Sequence, residues 1–158
     1  MIQIVAVGSV RGPLRQVLDD YEKRAGRYWR FEVVEIPRAR MGSNASGELV
    51  RQDEGRRMLD RIPRDAQLVA LTVHGTPFDS VGLARFLEDQ VLQTGQRVVF
   101  ALGGAFGLDD SVLDRATRTF SLGAGTLPHE LARVVLTEQI YRAGTILRNE
   151  PYHKGSAE

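Results

Sequence analysis

Three short segments, each closing an apolar run, carry the residues best suited to holding a ligand. They are Leu71-Thr72-Val73-His74-Gly75, Leu102-Gly103-Gly104 and Leu122-Gly123-Ala124-Gly125. Glycine and alanine leave backbone N–H and C=O groups open to a ligand, and glycine takes positive φ at little cost. Backbone donors and acceptors of this kind are what recognition of an adenine ring needs. One such segment is most simply a tight turn, but three at successive run ends favour a ligand site. The third is followed by Thr126-Leu127-Pro128-His129.

Several common chemistries lack their residues. Gly103–Gly107 is not G-x-G-x-x-G, and no acidic residue stands where a dinucleotide ribose would need it. There is no G-x-x-x-x-G-K-[ST] phosphate loop and no G-x-S-x-G nucleophile elbow. The chain has no cysteine, which removes disulfides, a thiolate nucleophile and Cys-based zinc sites. His74, His129 and His153 are far apart and lack metal-ligand spacing, so no metal is expected.

The elements that must position these loops alternate between strand and helix patterns. Met1–Val7 reads as a strand ending at Gly8, and Pro13 opens a helix with Leu14, Val17, Leu18, Tyr21, Ala25 and Tyr28 at helical spacing. Phe31–Ile36 is a second strand stopped by Pro37, and residues 38–47 form a loop. Ser46 can cap a second helix carrying Leu49, Val50, Met58, Leu59 and Ile62. Leu68–Val73 is a strand apolar enough to be buried on both faces, with His74-Gly75-Thr76-Pro77 expected to turn the chain. A helix capped by Asp79 or Ser80 leads to a strand at Val98–Leu102. A short helix at about 109–116 leads to a strand at Arg118–Leu122. A long helix from Pro128 to Leu147 has Leu131, Val134, Val135, Glu138 and Tyr141 or Arg142 on one face. The pattern predicts one α/β domain over residues 1–158, a mostly parallel sheet with helices on both faces. In such sheets, ligands sit outside the carboxyl ends of the strands.

Composition fits that architecture and adds a hint about partners. With 42% hydrophobic residues, the 158-residue chain is long enough to enclose a core. No apolar run approaches the roughly 20 residues of a membrane helix. The chain opens directly as strand, without a signal-peptide pattern, so a cytoplasmic location is expected. Net charge is only +1, which argues against bulk polyanion binding. Residues 11–64 nevertheless carry 13 basic against 9 acidic side chains, and residues 65–114 carry 2 against 7. That asymmetry allows RNA on one face, or equally a chance scatter over solvated helices.

Taken in order, four further groupings resemble one family. They are Leu102-Gly103-Gly104-x-x-Gly107-Leu108, Ser121-Leu122-x-Ala124-x-Thr126-Leu127-Pro128-His129, Glu138-Gln139-Ile140-Tyr141-Arg142-Ala143, and the tail Pro151-Tyr152-His153. With Val5-Ala6-Val7-Gly8 and Glu35-Ile36-Pro37, they are similar to the RlmH family of ribosomal large-subunit RNA methyltransferases, minimal members of the SPOUT class. The resemblance covers essentially the whole chain. It departs at Ala105-Phe106, where relatives commonly carry a proline and an acidic residue. Phe106 is expected to shield the cofactor or support a dimer.

The resemblance implies a trefoil knot near the C-terminus, a topology rare enough that pattern alone would not suggest it. It implies a homodimer binding S-adenosylmethionine in the knot and methylating N3 of a pseudouridine in large-subunit ribosomal RNA, on the assembled ribosome. Cofactor contacts would fall on Leu71, Gly103, Gly104, Leu122, Gly123, Ala124, Gly125, Thr126, Leu127 and Pro128. His129, Tyr152 and His153 would serve the chemistry, with the tail folding over the site. Arg38, Arg40, Arg142 and Lys154 would meet RNA. For Arg142 the simpler expectation is an i, i+4 pair with Glu138; for His129, an ordinary helix-end residue. Two other functions remain open on sequence grounds: a non-catalytic RNA-binding or ribosome-associated factor, and a SPOUT enzyme acting on another RNA such as transfer RNA.

Overall fold

The computed structural model describes residues 1–40 and 46–156, with residues 153, 155 and 156 described by backbone alone. Five strands form one all-parallel sheet: β1 (Ile2–Val7), β2 (Phe31–Ile36), β3 (Gln67–Pro77), β4 (Val98–Leu102) and β5 (Arg118–Ser121), in the order β2-β1-β4-β3-β5. Between and after them run α1 (Pro13–Ala25), α2 (Gly47–Leu59), α3 (Ser80–Leu87) with a π-helical continuation at Glu88–Gln93, α4 (Asp110–Arg115) and α5 (His129–Leu147). A 3-10 turn at Pro151–Ser156 ends the described chain.

Strand alternation divides the core into two layers. Ile2, Ile4, Phe100, Leu102 and Val69 face α1, α3 and α5, meeting Ala25, Leu83, Leu87, Leu136 and Ile140. Val5, Val7, Val99, Ala101 and Leu68 face α2 and α4, meeting Met58 and Val112. Because both faces are covered, β1 and β4 are buried along their whole length. Local capping is as the residue types suggest: the side chains of Ser46, Asp79 and Asp109 accept the N–H groups of Leu49, Gly82 and Ser111.

Two expectations are corrected. His74–Pro77 does not turn the chain. β3 continues to Pro77 through a register shift against β5 between Leu71 and Thr76. Gly75 permits this, because a Cβ there would lie 2.5 Å from the Phe120 carbonyl carbon. The buried stripe of α5 runs through Arg133, Leu136, Thr137, Ile140, Ala143 and Gly144, not Leu131, Val135 and Glu138. Sequence periodicity misplaces it because a charged residue, Arg133, lies in that stripe. Its guanidinium reaches Glu22 on α1 at 3.0 Å and Glu35 on β2 at 2.6 Å.

Candidate active site

A cavity of about 630 Å³ opens at the carboxyl ends of β3, β4 and β5. This is a size usual for a small-molecule site. Leu71, Gly103, Gly104, Leu122, Gly123, Gly125, Thr126, Leu127, Pro128 and His129 all line it, and Ala124 does not. Thr72, Val73 and Leu102, from the same strand-end segments, complete much of the wall together with Ala132, which the sequence did not single out. No arginine or lysine lines it.

Glycine geometry makes the wall from backbone. The loop after β4 closes on itself through Gly107 N–H donating to Gly104 C=O at 3.1 Å. A Cβ on Gly103 would run into the backbone of Gly107 and Leu108, and Gly107 itself has φ +80°. After β5, Gly123 has φ +140°, a conformation that favours glycine. Buried Ser121 clamps it: Ser121 Oγ donates to Gly123 C=O at 2.9 Å and lies 3.2 Å from Gly123 N. A serine two residues before a glycine at a strand end is a local signal that could have marked this clamp. Phe106 lies outside the cavity lining, half exposed, with its ring against Gly47 at the start of α2.

His129 is the first residue of α5 and stands at the cavity wall. Arg38 Nη2 lies 2.6 Å from its Nε2. A guanidinium has only donors, so Nε2 is the acceptor and the imidazole is neutral, carrying its proton on Nδ1. Burial first, then the Arg38 charge, hold its pKa below the ordinary histidine value; Glu130 and Glu54 oppose them. Arg38 also approaches Glu130 at 3.7 Å. It makes both contacts with its side chain more than half exposed, and Arg40 is exposed as well. A second, polar cavity of about 540 Å³, lined by Ser9, Arg11, Glu35, Arg38 and Glu130 among others, adjoins this contact.

Tyr152 does not line the strand-end cavity. Tyr152 OH donates to Glu138 Oε1 at 3.0 Å and lies 3.4 Å from Tyr21 OH. Its ring packs 4.6 Å from that of Tyr141. Burial and these partners push its phenol pKa up. Arg142 pairs with Glu138 at 2.7 Å, as its spacing suggested, and sits 4.9 Å over the Tyr152 ring. Lys154 is exposed, and the side chain of His153 lies outside the described residues. Glu138 is nine residues beyond His129 on one helix, about 14 Å along the axis at 1.5 Å per residue. The structure thus gathers the cavity residues with His129 and Arg38, and gathers Tyr152, Glu138 and Arg142 in a separate cluster. Among the described residues no group of three acidic or histidine side chains is placed to hold a metal, and no helix is long and apolar enough to cross a membrane.

A parallel α/β sheet with a backbone-lined cavity at the ends of three adjacent strands is the arrangement of a SPOUT-class methyltransferase, and the family model described as "Predicted SPOUT methyltransferase" matches residues 1–153. A probable methylase family protein from Haemophilus influenzae has a related fold. Its TM-score is 0.53 at 11% identity, over 96% of this chain and 69% of that one. Similarity in sequence is far higher to proteins named ribosomal RNA large subunit methyltransferase H. The relative from Gemmatimonas aurantiaca is 44% identical over 97% of this chain and 99% of its own. That from Rubrobacter xylanophilus is 45% identical over 95% and 96%, and that from Listeria monocytogenes 41% over 97% and 99%. The chain belongs to this family of SPOUT methyltransferases.

Proposed function

We propose that the chain transfers a methyl group from S-adenosylmethionine to N3 of a pseudouridine in large-subunit ribosomal RNA, acting on the assembled ribosome as a cytoplasmic homodimer. The observation that carries this is the cavity itself, built of backbone groups and apolar side chains, free of cations, with a neutral imidazole at its wall.

The cavity suits that donor chemically. When bound, S-adenosylmethionine supplies an electrophilic methyl on a positively charged sulfur. A wall without arginine or lysine avoids repulsion of that charge. Leu71, Leu122, Leu127 and Pro128 provide apolar surface. Gly103, Gly104, Gly123 and Gly125 leave backbone groups open for polar edges of the ligand, with Ala124 and Thr126 in the same loop. The trefoil knot of the family fold belongs to this reading and would hold these loops in register.

The chain's own residues then orient the nucleobase and remove its N3 proton. His129 is neutral, and its Nε2 becomes the proton-accepting atom once Arg38, which donates to it, turns away to RNA phosphate. We assign Arg38, Arg40, Arg142 and Lys154 to RNA phosphates, with Arg11 beside Arg38 in the second cavity. Tyr152 and His153 on the tail would engage the base. Since Tyr152 is held at Glu138, about two and a half turns along α5 from His129, one chain does not present both to one nucleotide in this arrangement. A homodimer resolves this if the tail of one copy serves the cavity of the other.

The test is transfer of tritiated methyl from S-adenosylmethionine to ribosomes, followed by mapping of the labelled nucleotide. Label at a single pseudouridine of large-subunit RNA is expected, with free RNA fragments much poorer substrates. No transfer, together with no calorimetric binding of S-adenosylmethionine, would make the chain a non-catalytic factor. Transfer to transfer RNA, or equal rates on fragments and ribosomes, would overturn the substrate assignment.

A further inference from the structure

Glu54 sits on α2 among the residues buried against the sheet, and only 4% of it is exposed. It makes no ion pair among the described residues. Its Oε1 accepts the backbone N–H of Ala39 at 2.9 Å. Its Oε2 is sealed from solvent and has no hydrogen-bond partner among the described residues. That oxygen is lodged behind the glycine loop, where a Cβ on Gly104 would lie 2.8 Å from it. A buried carboxylate oxygen without a donor is costly. Val50 and Met58, buried on the same helix, show what an ordinary packing position there holds.

What Glu54 touches explains the exception. Ala39 adjoins Arg38, the residue that holds His129. Gly104 is part of the ligand cavity. One side chain therefore supports, from behind, both the turn that sets the base and the loop that lines the cavity.

We infer that Glu54 is a positioning residue for methyl transfer: Oε1 fixes the turn carrying Arg38, and Oε2 accepts an N–H of the Gly103–Gly107 loop when that loop closes on its ligand. Glu54 touches neither ligand nor base. The ligand half of this inference rests on the assignment of the cavity to S-adenosylmethionine, and the turn half does not. His129 also feels Glu54 electrostatically, together with Arg38 from the turn after β2 and Glu130 from α5.

Two variants separate the halves. Glu54→Gln keeps the shape and an oxygen for Ala39, but presents an NH2 donor to the loop in place of an acceptor. Glu54→Ala loses both contacts. In ligand-free protein, hydrogen exchange at the Ala39 amide and the ring resonances of His129 report the turn. Glu54→Ala should expose Ala39 and give His129 the resonances of Arg38→Ala, and Glu54→Gln should restore Ala39 protection. In Glu54→Gln the loss of the carboxylate charge should also move the His129 titration to lower pH. Calorimetry with S-adenosylhomocysteine reports the loop. Glu54→Gln should bind at least about tenfold more weakly, as for loss of a hydrogen bond to a charged group, and lose ligand-induced protection of amides 103–107. Wild-type Ala39 protection and His129 resonances in Glu54→Ala overturn the turn role. Undiminished affinity in Glu54→Gln overturns the loop role. If wild-type protein binds no S-adenosylhomocysteine, the cofactor assignment and the loop role fall together, while the ligand-free measurements still decide the turn.

Discussion

At the scale of single residues, the proposed role of His129 as proton acceptor makes its charge state the property to test. A proton acceptor works only when neutral, so activity should fall as pH drops through its pKa. Burial and Arg38 place that pKa below the ordinary value, which keeps the base free at neutral pH. Neighbouring charges should move the acid limb in opposite directions. Arg38→Ala removes a positive neighbour, so the pKa rises and the limb shifts to higher pH. Glu130→Gln removes a negative neighbour, so the limb shifts to lower pH. The pH dependence of turnover at saturating ribosomes checks both signs; limbs that stay in place in both variants would remove His129 from proton transfer. Part of this was legible in sequence. Gly103, Gly104 and Gly123 stand out by type, and His129 by its place after them. The Arg38 contact was not, since the partners are 91 positions apart and Arg38 reads as one more cation in a polar loop.

At the scale of elements, Arg133 shows how α5 is fastened over the sheet and why its face was misread. Its side chain is 4% exposed and joins α5 to α1 and β2 through Glu22 and Glu35. Removing one partner of a buried pair leaves the others desolvated and uncompensated. Arg133→Ala should cost about 3 kcal/mol in chemical denaturation, at the low end of the range for such pairs because Glu35 is about one-third exposed. A loss within 0.5 kcal/mol, as for exposed pairs, would show that the bridge is solvated. Strands were the most legible elements, because β1, β2 and β4 are short apolar or alternating runs ended by glycine or proline. β3 was cut short at Val73, since its last residues are polar and exposed and run on only by register with β5. The Glu54 support was hidden for the same reason as Arg133: each is a polar residue whose meaning comes from partners distant in sequence.

At the scale of the whole molecule, charge and assembly bear on each other. Part of the basic excess of residues 11–64 is balanced locally. Arg15, Arg24, Arg56 and Arg57 are paired with Asp19, Asp20 and Asp53 within their own helices. A chain of net charge +1 with so many of its arginines engaged has little long-range pull on RNA, which suits a large preformed target better than a free strand. The separation of His129 from Tyr152 points the same way, toward an active unit larger than one chain. If each working site combines the cavity of one copy with the tail of the other, two inactive variants must complement. His129→Ala and Tyr152→Ala homodimers should each transfer methyl slowly. Mixed by co-expression, about half the dimers are heterodimers, each with one intact site, so activity should return to about a quarter of wild type. Each homodimer alone should still bind S-adenosylhomocysteine, because neither substitution disturbs the glycine loops. If the mixture does no better than the average of its parents, His129 and Tyr152 serve the same chain, and the tail must then leave Glu138 and Tyr21 to reach its own cavity.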